Sequence, residues 1–126
     1  MLADAELVAF VPTTDLDRAQ EFYCTVLGLR LVETSPYALV LRAGSTAIRV
    51  TKVDRLSPQP FTVLGWEVAD IEMLLGQLSR ASFPARRYPG LDQDDNGVWT
   101  TPGGDRVAWF SDPDGNVLSL TQLCQR

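Results

Sequence analysis

The sequence predicts an α+β protein built from two βαβββ modules, and three observations predict it. The order strand, helix, strand, strand, strand is legible twice along 126 residues. The two passes are related by a constant offset: Val8 and Val63, Asp15 and Asp70, and Leu16 and Ile71 each lie 55 residues apart. Two units at such a spacing describe duplicated supersecondary elements, too few for a solenoid. Finally, an aspartate precedes each helical stripe, where its oxygen accepts from the free amides of a first turn.

The elements follow in order. Leu7–Val11 is a short run apolar on both faces, which reads as a buried strand. Thr13, Thr14 and Asp15 offer N-caps. Leu16, Ala19, Phe22, Tyr23, Val26 and Leu27 then recur at helical spacing, and Gly28 ends the helix as a left-handed cap. Leu29–Glu33 begins a strand. Tyr37–Arg42 and Thr46–Val53 are strands joined through Ala43-Gly44-Ser45, a hairpin signal. Asp54–Pro60, with prolines at 58 and 60, reads as a linker.

The second pass starts with a strand over Phe61–Val68. Asp70 caps a helix whose stripe is Ile71, Leu74, Leu75 and Leu78, and Pro84 lies just beyond it. Strands are predicted over Val98–Thr101, Arg106–Ser111 and Asn116–Gln122. Asp112-Pro113-Asp114-Gly115 makes the tight turn between the last two, with proline presetting one dihedral and glycine taking the left-handed one. The predicted organisation is one domain over residues 1–126, with module one at about 5–53 and module two at about 61–123.

Composition removes several function classes. A net charge of −5 argues against nucleic acid as partner, because phosphate binding needs clustered Lys and Arg. No apolar run approaches the ~20 residues that span a bilayer. Met1–Glu6 carries acids where a secretion signal needs bases. With only Cys24 and Cys124, no disulfide framework is indicated, and the expected location is cytoplasmic. The chain contains no histidine to activate a cysteine nucleophile.

Thr14-Asp15-Leu16-Asp17-Arg18-Ala19, then Phe22-Tyr23 and Leu27-Gly28, resembles the first helix of the vicinal oxygen chelate superfamily, which holds the glyoxalases, bleomycin-resistance proteins and extradiol dioxygenases. Phe110-Ser111-Asp112-Pro113-Asp114-Gly115-Asn116 is similar to that superfamily's terminal hairpin. The resemblance spans almost the whole chain. It implies the glyoxalase/bleomycin-resistance fold, curved sheets that enclose a cup-shaped cavity, a small-molecule ligand in that cup, and a homodimer. Both motifs also have a purely structural use as a cap and a turn, so they speak to fold, and function has to be argued from the site.

Metal-dependent members carry histidine, glutamine or glutamate on the first strand of each module and glutamate on the last strand. The corresponding positions here are Val8, Val63, Ser119 and, within one residue of register, Arg49. Valine has no donor atom, serine is a poor neutral donor, and an arginine does not deprotonate in a protein. Divalent transition metals want imidazole or carboxylate. The resemblance therefore implies a member without metal or other cofactor. The stretch Asp92-Gln93-Asp94-Asp95-Asn96-Gly97 opens like a calcium loop, but its twelfth position is Gly103 instead of glutamate, so it reads as a surface loop.

Period-two alternation then gives the candidate lining. It comprises Val8, Phe10 and Pro12; Arg49 and Thr51; Val63, Gly65 and Glu67; Val107 and Trp109; and Val117, Ser119 and Thr121. The opposite faces, with Ala9, Val11, Ile48, Val50, Phe110, Leu118 and Leu120, should pack under the helices. The ligand-binding set is thus Val8, Phe10, Arg49, Thr51, Val63, Glu67, Val107, Trp109, Ser119 and Thr121, an apolar body with a few orienting polar groups. Structural readings stand beside it: Trp109 filling the cup as core, Glu67 solvated at the rim, and Arg49 paired with Glu67. The leading expectation is metal-free binding that sequesters an aromatic or antibiotic-like molecule, as the resemblance to the bleomycin-resistance branch implies, with no catalytic residue. A metal-free lyase or isomerase, with Glu67 as base and Arg49 as oxyanion partner, is the alternative. A partner-binding module whose cavity is filled by its own side chains is the third class.

Overall fold

A computed structural model describes residues 1–125 and divides the chain into two compact units, Met1–Ser57 and Pro58 onward. Each unit carries one four-stranded mixed sheet, so the α+β class and the doubled βαβββ order hold.

In the first unit, β1 (Val8–Thr13) is followed by helix α1 (Leu16–Gln20), then β2 (Arg30–Thr34), β3 (Ala38–Ala43) and β4 (Thr46–Lys52). The sheet order is β1-β4-β3-β2, with β1 parallel to β4 and the other pairs antiparallel. Strand β1 runs through Pro12, which its edge position tolerates because a proline there removes no essential ladder donor. Asp15 caps α1 by accepting from the Arg18 amide. The helix does not continue as a regular α-helix to Leu27, as the spacing predicts. It runs into a π-helical segment, Glu21–Val26, closed by the bond from the Leu27 amide to the Phe22 carbonyl. That segment places Phe22 and Tyr23 side by side, both buried and edge-to-face at 4.9 Å. They join Val11, Leu39, Leu41, Ile48 and Val50 in the core.

In the second unit, β5 (Thr62–Glu67) leads into α2 (Ile71–Arg80), then β6 (Trp99–Thr100), β7 (Arg106–Ser111) and β8 (Val117–Gln122). The sheet order is β5-β8-β7-β6. Asp70 caps α2 through the Met73 amide, and the Ile71 amide donates to the Gln122 side chain, which ties the helix start to the last strand. The stripe Ile71, Leu75 and Leu78 is buried over β7 and β8. Beneath it lie Phe110, Leu118 and Leu120, with Trp66 stacked on Phe110 at 6.5 Å. A fully buried side chain of this size contributes roughly 1.5–3 kcal/mol. The predicted β6 is shorter than its apolar run, because only Trp99 and Thr100 pair with β7.

Candidate functional site

Each sheet has one face under its helix and one face free of it. In the first unit the free face is organised in rows across the strands. Phe10, Arg49, Val40 and Glu33 form one row, and Pro12, Thr51 and Ala38 form another. Val8 pairs with Ala47 one row away. The register of Arg49 is thereby resolved: it is exposed and shares a face with Phe10, while its neighbours Ile48 and Val50 are buried. Val8, which opens β1, and Phe10 within it are 48% and 63% exposed, high for large apolar side chains on a strand. Val8, Phe10, Arg49 and Thr51 therefore come together on this face.

The free face of the second sheet is built from three rows. The first is Glu67, Thr121, Val107 and Trp99. The second is Gly65, Ser119 and Trp109, and the third is Thr62, Val117 and Ser111. Glu67, Val107, Trp109, Ser119 and Thr121 thus share one face. Glu67 is exposed at the end of β5, whereas Ser119, Thr121, Val107 and Trp109 are half-buried. Gly65 carries no side chain opposite Ser119, and a Cβ there would run into the serine hydroxyl.

Val63 lies where alternation does not apply. The β5–β8 ladder takes an extra residue between Thr62 and Leu64, a β-bulge. The bulge brings Thr62 onto the free face opposite Val117, and the Trp109 indole N–H donates to the Thr62 hydroxyl at 3.1 Å. Period-two counting passes over Thr62 because it assumes an unbroken ladder.

Trp109 is the centre of an aromatic cluster that sequence spacing does not reveal. The Trp99 ring lies nearly parallel to it, with centroids 6.4 Å apart and planes at 28°. Tyr88 meets it edge-on at 5.5 Å and 85°. The Arg86 guanidinium lies 5.6 Å from the Tyr88 centroid and donates to the Ser111 hydroxyl at 2.6 Å, and the Arg86 amide donates to the Trp109 carbonyl. Arg86 and Tyr88 sit in an irregular stretch without periodicity. The Gln93 side chain holds that stretch: its amide group donates to the Arg86 and Gly97 carbonyls and accepts from the Tyr88 amide. Trp99 was legible as a strand residue, and its pairing with Val107 is what puts it beside Trp109.

At the positions where metal-dependent relatives carry ligands, Val8, Val63, Ser119 and Arg49 do not fit a divalent cation. The donor chemistry is wrong whatever the geometry. Among the described residues no group of three or more His, Cys, Asp or Glu is placed to hold an ion. In the calcium-like loop, Asp94 accepts from the Asn96 and Val98 amides, so its carboxylate organises the turn. Burial pushes the Cys24 thiol above its usual range, opposite to what a nucleophile needs. Clefts elsewhere among the described residues include one of about 520 Å³ by the start of α1 and one of about 400 Å³ beside α2. Neither has an aromatic wall, so neither matches the chemistry of the sheet face. No helix of the described residues is long and apolar enough to cross a membrane.

Comparison with known proteins agrees with this architecture. The sequence profile of the Glyoxalase/Bleomycin resistance protein/Dioxygenase superfamily matches residues 6–120. Among solved structures, the chain is similar to TnmS3, an antibiotic binding protein from Streptomyces sp. CB03234, at 24% identity and a TM-score of 0.74, with 98% of this chain and 99% of that one covered. It is also similar to a superfamily member from Sphaerobacter thermophilus DSM 20745 (20% identity, TM-score 0.75, 98% and 100% covered). A third similar structure is the lactoylglutathione lyase from Agrobacterium tumefaciens (16% identity, TM-score 0.73, 94% and 93% covered). No match is found among curated proteins. The profile match across most of the chain and the two mixed sheets place the protein in the Glyoxalase/Bleomycin resistance protein/Dioxygenase superfamily, the vicinal oxygen chelate group.

Proposed function

We propose that the protein is a metal-independent small-molecule binding protein that sequesters a planar, aromatic or antibiotic-like ligand, and that it works as a single-domain, cytoplasmic homodimer. The observation that carries the reading is the Trp109–Trp99–Tyr88 cluster on the helix-free face of the second sheet, with all three rings half-buried. Aromatic rings at such angles bind flat molecules, each pair contributing roughly 0.5–1.5 kcal/mol beyond area burial. Around the rings lie Thr62, Ser119 and Thr121, hydroxyls suited to orienting a ligand. The valines at Val8 and Val63 speak against metal chemistry, and the antibiotic-binding relative of the same fold supports small-molecule binding. Nothing favours the lyase or isomerase reading, since Glu67 is exposed rather than enclosed in an apolar site.

Native mass spectrometry of the purified protein, set against its denatured spectrum, tests this reading. The expected result is a bare or organically liganded chain, with any extra mass organic and lost on denaturation. Stoichiometric zinc, nickel, manganese or iron that follows the folded protein would overturn it.

A further inference from the structure

Arg86 points to the charge of the ligand. Its guanidinium reaches the face that carries the aromatic cluster, because Ser111, to whose hydroxyl it donates, shares a face with Trp109 and Val107 along β7. It is half-buried, and among the described residues of its unit no carboxylate neutralises it. The other arginines nearby are engaged. Arg106 pairs with Glu72 at 2.8 Å and lies 3.8 Å from Asp94, and Arg87 donates to the Asp94 and Asp95 carbonyls. A guanidinium offers five N–H donors, and the Ser111 contact takes one of its ends. The guanidinium lies against the Tyr88 ring, and the Arg86 amide is bonded to the Trp109 carbonyl, so this charge sits at the edge of the aromatic cluster.

The two charges of this face lie apart. Glu67 belongs to the first row and Ser111 to the third, four residues apart along β7 from Val107 to Ser111, which is about 13 Å of strand. Trp109 occupies the row between them, and Trp99 lies in the first row on the far side of the sheet from Glu67. The end of the platform next to Arg86 therefore presents a positive, bidentate donor, suited to a planar carboxylate or similar oxyanion.

We propose that the ligand is an aromatic anion, whose ring lies against Trp109 and Trp99 and whose oxyanion is held by Arg86 next to Ser111. This rests on the small-molecule reading above and adds the ligand's charge and its anchor. The anchor differs from Arg49, which the sequence suggested.

An isosteric set tests it by quenching of tryptophan fluorescence: 2-naphthoate, 2-naphthamide and 2-naphthamidine, titrated at low and high salt. The wild-type chain should bind the carboxylate at least tenfold more tightly than the amide and the amidine most weakly, with the carboxylate preference shrinking as salt rises. Arg86→Gln should bring carboxylate and amide within about twofold, with the carboxylate losing more affinity than the amide, and Arg86→Lys should keep part of the preference. Equal affinity of wild-type protein for carboxylate and amide would overturn the charge assignment and leave the aromatic site standing. So would a preference that survives in Arg86→Gln. Failure of all three rings to bind would overturn both. Should Arg86→Gln not fold, the wild-type preference and its salt dependence decide alone.

Discussion

Trp109 shows why a single side chain is ambiguous in sequence and clear in a fold. Alternation from the terminal turn places it on the helix-free face, but the same position suits a core residue. In the structure it is half-buried, stacked near Trp99 and tied to Thr62 by its N–H. Trp109→Ala is therefore expected to weaken binding of a planar aromatic ligand by about 2–3 kcal/mol, roughly 30- to 150-fold. It should cost less than the roughly 3–5 kcal/mol of stability lost on truncating a fully buried tryptophan. Titration and urea denaturation on the same variant check both halves; unchanged affinity with a large stability loss would make Trp109 core packing. Asp112 is the opposite kind of residue. It is buried, and its carboxylate accepts from the Asp114 and Asn116 amides and from the Asn116 side chain. Asp112→Ala leaves these donors without that acceptor and is expected to cost about 2–3 kcal/mol. A urea midpoint within error of wild type would show that water replaces the carboxylate freely.

Between residue and fold, the decisive piece is the irregular stretch from Ala85 to Gly97 that carries Arg86 and Tyr88. Gly97 has φ +89°, and a Cβ placed there would come within 2.5 Å of the Ala85 methyl. The loop therefore presses on the stretch in a way only glycine allows. Gly90, with φ +82° and open space around it, is the natural control. Gly90→Ala should cost about 1–2 kcal/mol from backbone strain alone. Gly97→Ala should cost about 1–3 kcal/mol more, because the overpacked contact must also be relieved. It should also loosen the aromatic cluster, seen as a change in near-ultraviolet circular dichroism. Equal costs at the two glycines would show that the Ala85 contact gives way without penalty. Helix α1 and its π-helical continuation, by contrast, were legible as one apolar stripe. The change of hydrogen-bond pitch was not, because Phe22 and Tyr23 satisfy either pitch until packing selects one.

For the molecule as a whole, the exposed apolar side chains bear on assembly. Val8, Phe10, Val32 and Tyr37 in the first unit and Phe61 in the second are all about half-exposed or more. Soluble monomers rarely leave large apolar patches uncovered. In the first sheet β1 and β2 are edges, and in the second β5 and β6 are. A homodimer is expected at micromolar concentration, and Phe10→Glu should weaken it by at least tenfold if that ring is covered. Sedimentation showing only a 13.9 kDa species for the wild-type chain would rule the dimer out.

The element order, the helix caps and the division of the unbulged strands into a helix-covered and a free face were determined by the sequence alone. Caps depend on one side chain and the first turn, and alternation is a property of the extended backbone. The same locality made Val8, Phe10, Arg49, Thr51, Glu67, Val107, Trp109, Ser119 and Thr121 legible as free-face residues. Tertiary structure alone decided the rest. The bulge at Val63 came from pairing β5 with a strand more than fifty residues away, and it exchanged one expected position for Thr62. Trp99 reached Trp109 through strand register, and Tyr88 and Arg86 reached it through a loop held by the Gln93 amide. Contacts between residues distant in sequence, made by segments without a period, leave no repeating mark in the chain, so they become visible only when the strands are paired.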